Sequence, residues 1–109
     1  MPKISIIIPV FNDFTAIQET LKSLKNQTAS AEIFEIIVVD NGSTDGSVEW
    51  LNIQKAITFL QELTFLGSPY SCRNRGIEIA KGELIVLLDS TCVPSSEFVE
   101  QGWTFYEQT

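Results

Sequence analysis

Four apolar runs of strand length punctuate the chain, separated by stretches whose apolar residues recur at helical spacing. The runs are Ile4 to Ile8, Ile33 to Val39, Ala56 to Leu60 and Glu83 to Leu88. The unbroken apolar character of the second implies a strand buried on both faces. Between the first two, Phe14, Ile17, Leu21 and Leu24 follow at spacings of three, four and three. This is the stripe of an amphipathic helix of about four turns. Asn12 or Asp13 can cap it, and Gln27-Thr28-Ala29-Ser30 ends it. Gly42-Ser43-Thr44-Asp45-Gly46 reads as a turn, with Ser43, Thr44 or Asp45 able to cap a short helix through Trp50-Leu51. Ser68-Pro69 places serine at an N-cap and proline at the first helical position, and Gly82 marks the stop. Pro94-Ser95-Ser96 opens a last helix containing Phe98, Val99, Trp103 and Tyr106.

Strand and helix alternate throughout, and each helix is long enough for a right-handed crossover. The pattern predicts an α/β, Rossmann-like three-layer sandwich on a mainly parallel sheet of about four strands. Residues 1–109 read as one domain, without repeats, low-complexity segments or a linker. Three strands end in polar sets: Pro9-Val10-Phe11-Asn12-Asp13, Asp40-Asn41-Gly42-Ser43-Thr44-Asp45 and Asp89-Ser90-Thr91-Cys92. In an open parallel sheet the carboxyl ends of the strands form the ligand crevice, so carboxylates gathered there point to binding.

Composition narrows the ligand. With 44% hydrophobic and 19% charged residues the chain is an ordinary globular one, and 109 residues are few for a complete two-substrate enzyme. No apolar run is long enough for a transmembrane segment and the start lacks a secretory signal, so the expected location is cytoplasmic. Cys72 and Cys92 are too few for a disulfide scaffold and read as reduced thiols, Cys92 as a packing residue. A net charge of −7 with seven basic residues excludes nucleic acid as a partner. The only arginines, Arg73 and Arg75, share one short segment, which suits a small anionic ligand.

Ser5-Ile-Ile-Ile-Pro-Val-Phe-Asn12, Glu35-Ile-Ile-Val-Val-Asp-Asn-Gly-Ser-Thr-Asp45, Cys72-Arg-Asn-Arg-Gly-Ile77 and Lys81-Gly-Glu-Leu-Ile-Val-Leu-Leu-Asp89 occur in that order. Over nearly its whole length the chain resembles the nucleotide-sugar-binding half of the inverting family 2 glycosyltransferases, which have the GT-A fold. The resemblance implies a nucleotide-diphospho-sugar donor, foremost a UDP-sugar. It implies that Asp40 accepts a hydrogen bond from the base, that Pro9 and Phe11 flank the base, and that Arg73 faces the diphosphate. It implies that Asp89 begins an Asp-x-Asp element binding ribose and a Mg²⁺ or Mn²⁺ ion. Here that element reads Asp89-Ser90-Thr91, so Thr91 replaces the usual second carboxylate, and Asn41 stands where many relatives carry a second aspartate.

The residues alone leave other roles open. Asp40 can close its own turn on Gly42 or Ser43, Phe11 can be a core residue, Arg73 can pair with Glu78, and Asp45 can cap the helix that follows it. The family supplies its general base and acceptor site from the half that follows. No catalytic residue is therefore expected here, and the isolated chain should bind donor with little or no transfer. Uncovered apolar surface at the fourth-strand edge and at Trp103, Phe105 and Tyr106 predicts a homo-oligomer. The main rival is a non-catalytic nucleotide-binding or assembly module. A phospho-acceptor receiver needs an acidic pair after the first strand and a lysine after the last, and a dinucleotide-binding oxidoreductase needs G-x-G-x-x-G. Neither pattern is present.

Overall fold

Ile6, Ile7, Ile8, Ile37, Val38 and Val39 are wholly buried, because the two strands that carry them lie in the middle of one sheet. The computed structural model describes all 109 residues. Its elements are β1 (Ile4–Val10), α1 (Phe14–Lys25), β2 (Phe34–Asp40), α2 (Ser47–Asn52), β3 (Thr58–Gln61), α3 (Pro69–Ile79), β4 (Leu84–Leu87) and α4 (Phe98–Glu107). The strand order is β3-β2-β1-β4, and every pairing is parallel. The fold is α/β, with helices on both faces of the sheet. Even-numbered β1 residues Ile4, Ile6, Ile8 and Val10 meet Ile17, Leu21 and Leu24 of α1, Leu51 of α2 and Val99 of α4. On the other face Ile7, Ile37 and Val39 meet Cys72 of α3. No helix is long and apolar enough to cross a membrane.

The strand order reverses at β1, since β2 and β3 build outward on one side and β4 returns to the other. Such a switch opens a crevice at the strand carboxyl ends. β1 runs two residues further than its apolar run, through Pro9 to Val10. Pro9 is tolerated because β4 pairs only as far as Ile7. The amide hydrogen that proline lacks would point to that side, past the end of the partner strand.

Several boundaries differ from the sequence reading for local reasons. β3 begins at Thr58 because Ala56 adopts a left-handed φ of 65° that interrupts an extended run. Gly82 lies beyond the helix end at Ile79, and its role is close approach. A Cβ there would sit 2.6 Å from the Ile4 carbonyl carbon, while the Gly82 amide donates to Ser5 Oγ at 2.8 Å. α4 begins at Phe98, because Ser95 and Ser96 direct their carbonyls to Gln27 and Thr28. The expected oligomerisation surface is smaller than the sequence suggested. Trp103 packs on the core under the Lys3 ammonium, 5.2 Å from its ring centroid, and Tyr106 donates to Glu83 at 3.3 Å. That leaves Leu87 exposed at the β4 edge and Phe105 exposed on α4.

Candidate functional site

A cavity of about 290 Å³ opens at the carboxyl ends of β1, β2 and β4, closed on one side by the first turn of α3. Pro9, Phe11, Arg73 and Asp89 all line it, joined by Val10, Asp13, Asn41, Gly67, Pro69, Cys72 and Ser90. Four residues from three separated motifs thus converge at the sheet's switch point. Phe11 is 49% exposed, so it is a wall of the cavity and not a core residue.

α3 begins as its sequence requires. Ser68 accepts from the Ser71 amide at 3.2 Å, and Pro69 occupies the first turn, where its missing N–H costs nothing. Gly76 lets the helix lie directly on β1, since a Cβ there would come within 2.6 Å of Ile7 Cγ2. This close seating brings Arg73 to the cavity. Its Nε is buried without a hydrogen-bond partner, and its guanidinium carbon lies 5.6 Å from the Tyr70 ring centroid. Glu78 is not its partner, because the chain's single ion pair joins Glu78 to Arg75 at 3.6 Å. Arg73 is therefore a cation with donors to spare beside a cavity.

Asp89 faces the same space from the end of β4. One carboxylate oxygen, Oδ1, accepts from the Thr91 amide at 2.9 Å and the Thr91 hydroxyl at 2.8 Å. These two bonds, first the amide and then the hydroxyl, hold its carboxyl below the usual carboxylate range; slight burial opposes them and the Arg73 charge assists. Thr91 is thus turned toward Asp89, and Oδ2 has no partner. No three acidic, histidine or cysteine groups cluster as a cation cage. A Mg²⁺ or Mn²⁺ ion commonly takes one or two carboxylates and completes its shell with substrate phosphates and water. The single free oxygen of Asp89 fits that use, and only with a phosphate ligand present.

Asp40 is placed differently from the expectation that it reads the base. It is completely buried, does not line the cavity, and has both oxygens engaged. Oδ2 accepts from the amides of Gly42 at 2.8 Å and Ser43 at 2.9 Å, and Oδ1 accepts from the Ser43 hydroxyl. The turn beyond β2 closes on this carboxylate. Ser43 Oγ in turn accepts from the Asn12 amide at 2.9 Å, and Asn12 Oδ1 accepts from the Thr44 amide at 2.8 Å. Asn12 holds a left-handed φ of 51°, a conformation asparagine tolerates. Asp40 therefore sets the Phe11 wall through Ser43 and Asn12.

Asp45 does more than cap its own helix. Oδ1 accepts from Ser47 Oγ at 2.6 Å and Ser47 N at 3.1 Å, while Oδ2 accepts from the Phe14 amide at 3.0 Å. It serves the first turns of α1 and α2 together, whereas Asp13 makes no side-chain cap. Burial raises its pKa, but the bonds from the Ser47 side chain, the Ser47 amide and the Phe14 amide outweigh it and the net shift is downward.

Among the lining residues that the sequence did not mark as site residues, Asn41 makes three hydrogen bonds. Its amide nitrogen donates to the carbonyls of Glu62 at 2.8 Å and Phe65 at 3.1 Å, and its oxygen accepts from the Ser68 amide at 2.9 Å. A carboxylate would face two carbonyl oxygens here, which explains an amide at this position. The signal was the departure from the Asp-Asp pattern. Cys72 lies buried at the cavity floor, where burial, then Glu62 and Asp40, push its thiol up to about 11 against the pull of Arg73. Cys92, expected to pack inside, is exposed, because Thr20 holds its carbonyl inward.

The sequence matches the family described as Glycosyl transferase family 2 over residues 5–109. The chain belongs to that family. It is 41% identical over 110 aligned residues to a poly(ribitol-phosphate) beta-glucosyltransferase of Bacillus spizizenii, covering 97% of this chain and 17% of that enzyme. Among solved structures, S. aureus TarS in complex with UDP-GlcNAc superposes with a TM-score of 0.86 at 29% identity, covering 97% of this chain and 31% of that one. A Pyrobaculum calidifontis mannosyltransferase in complex with GDP-Man and Mn²⁺ superposes with a TM-score of 0.73 at 26% identity, covering 87% of this chain and 29% of that one. This family 2 chain therefore has the fold of the matching part of TarS and spans a third or less of each of these relatives.

Proposed function

We propose that this family 2 domain binds the nucleoside diphosphate part of an activated sugar, foremost a UDP-sugar, and serves inverting transfer of that sugar to an acceptor hydroxyl. The observation that carries the reading is Arg73, a cation with an unpartnered buried Nε beside a cavity that also presents Asp89 and an exposed aromatic wall at Phe11. The TarS complexes with UDP and with UDP-GlcNAc support the same ligand class. A flat base suits the Phe11 and Pro9 wall, and a diphosphate suits the guanidinium, whose fixed fork of donors matches phosphate oxygens. About 290 Å³ is small for a whole nucleotide-sugar, so the sugar projects outward from the strand ends toward its acceptor.

In the proposed reaction an acceptor hydroxyl attacks the anomeric carbon and gives up its proton to a general base, the bond from that carbon to the phosphate oxygen breaks, and UDP departs carrying the negative charge. Arg73 binds that charge more strongly as it develops, which is how a fixed cation lowers the barrier. Asp89 would hold a divalent ion, which would supply further charge neutralisation. Asp13 accepts from Ser90 Oγ at 2.8 Å and keeps the β4 loop against the cavity. No residue of this chain is assigned as the general base, and the chain alone is proposed to bind donor without transferring it. The Thr91 hydroxyl, turned onto Asp89, favours a second reading in which the domain binds donor and never transfers it.

Calorimetric titration with UDP tests the donor site. The expected result is saturable binding that weakens about tenfold or more in Arg73→Met, from loss of a charge-assisted hydrogen bond. Equal affinity of the folded variant would contradict the reading.

A further inference from the structure

We infer that Thr20, a core residue of α1, is a positioning residue for the donor site, holding the Asp89-Ser90-Thr91 loop in register. Thr20 is completely buried, yet its hydroxyl does not turn back to its own helix, the usual choice for a buried helical threonine. It reaches across about seventy residues of sequence to the carbonyls of Ser90 at 2.8 Å and Cys92 at 2.6 Å. One hydroxyl proton is shared between two acceptors, so this side chain is the clasp on both sides of Thr91. The loop needs a clasp. Between Leu87 and Phe98 the chain forms neither strand nor helix, and the internal ties around Thr91 are the Cys92 amide on the Asp89 carbonyl at 3.0 Å and the two Thr91 bonds to Asp89 Oδ1, all from Asp89 and none from the rest of the fold.

The consequence reaches the ligand. Asp89 sits one residue before the clasped segment, and Ser90 of the same loop donates to Asp13 in the cavity wall. With Thr20 in place the free Asp89 oxygen has one location relative to Arg73. Without it, the buried Ser90 carbonyl and the Cys92 carbonyl lose their donor and the loop samples other arrangements. This inference rests on the proposed donor site for its ligand arm only.

The test compares Thr20→Val, which keeps the shape and removes the hydroxyl, with Thr20→Ser, which keeps the hydroxyl, and with Leu24→Val, a core control further along the same helix. Amide hydrogen exchange is read at Thr91 and Cys92, and UDP affinity is measured with and without Mn²⁺ at a temperature where every variant is folded. Thr20→Val is expected to speed exchange at both amides and to reduce the Mn²⁺-dependent gain in UDP affinity about tenfold. Thr20→Ser should restore both, and Leu24→Val should change neither. Unchanged exchange at Thr91 and Cys92 in Thr20→Val, or an equal effect in Leu24→Val, overturns the inference. Absence of UDP binding by the wild-type chain overturns the donor site instead, while the exchange arm still decides the role of Thr20.

Discussion

Replacing Asp40 separates a residue that reads a base from one that builds the loop around it. Its carboxylate is completely buried and accepts from Gly42 N, Ser43 N and Ser43 Oγ. Asp40→Ala leaves two backbone amides without an acceptor, and an unsatisfied buried group costs about 1–3 kcal/mol each. The Ser43 hydroxyl can turn elsewhere and water reaches the two half-buried amides in part, so the expected loss is about 2–4 kcal/mol, a large share of the roughly 5–15 kcal/mol that stabilises a small domain. In Asp40→Asn the amide oxygen keeps both backbone donors, and its NH₂ faces Ser43 Oγ, which then accepts. The expected loss there is only about 1 kcal/mol. Urea unfolding gives the stability of both variants, and calorimetry gives UDP affinity for the folded Asp40→Asn chain. The structure predicts large destabilisation by alanine, mild destabilisation by asparagine, and UDP affinity within about threefold of wild type for asparagine. Asp40→Asn with wild-type stability and a tenfold or greater loss of UDP affinity would refute this and make Asp40 a direct base contact.

The remaining predictions concern packing, thiols and acid. Gly76→Ala should destabilise the chain by about 1–3 kcal/mol despite alanine's better helix propensity, because its Cβ meets the buried, β-branched Ile7; thermal unfolding checks this, and a stability gain would contradict it. A thiol reagent should modify one cysteine rapidly in the native chain, the exposed Cys92, and reach Cys72 only on unfolding, since that thiol is buried and its pKa is pushed up to about 11. Peptide mapping of the labelled protein decides between them. Asp45 and Asp89 both have carboxyls lowered from 3.8 in the folded chain. Their contributions to stability are fully present above that value and are lost as pH falls through the depressed folded values. In Asp45→Asn the loss of stability on acidification through this range should be smaller than in wild type, as read by urea unfolding across pH.

The architecture was legible in the sequence because two periodicities carried it. Continuous apolar runs marked the buried parallel strands, and the Phe14, Ile17, Leu21, Leu24 stripe marked α1, in which Ile17, Leu21 and Leu24 are buried. Ser68-Pro69 marked the start of α3 to the residue. The boundaries that slipped depended on partners distant in sequence. Pro9 stays in β1 only because β4 stops pairing at Ile7, and no local feature of Pro9-Val10 reports that. The start of α4 depends on Gln27, which accepts from the Val99 amide at 2.9 Å and donates to the Ser95 carbonyl at 2.7 Å.

The site was legible as a set of loops and less so as individual roles. Pro9, Phe11, Arg73 and Asp89 meet in one cavity because the strand ends that carry them are neighbours in the sheet. Asp40 and Asn41 are consecutive, so the chain direction alone did not show which of them faces the cavity. The alternation of a strand decides it. Asp40 completes the register with Val10 and turns under the loop, and Asn41 emerges at the surface of the cavity. Thr20 was invisible for another reason: a threonine within a helical stripe carries no local sign that its hydroxyl serves a loop after β4.

A two-dimensional amide NMR titration of the chain with UDP in the presence of Mg²⁺ locates the donor site residue by residue. Saturable shifts are expected, confined to Val10 and Phe11, Asn41, Gly67, the first turn of α3 through Arg73, and Asp89 to Thr91. No saturable shifts in a folded chain at millimolar UDP, or shifts centred on the opposite end of the sheet around Phe34 and Ala56, would contradict the proposed donor site.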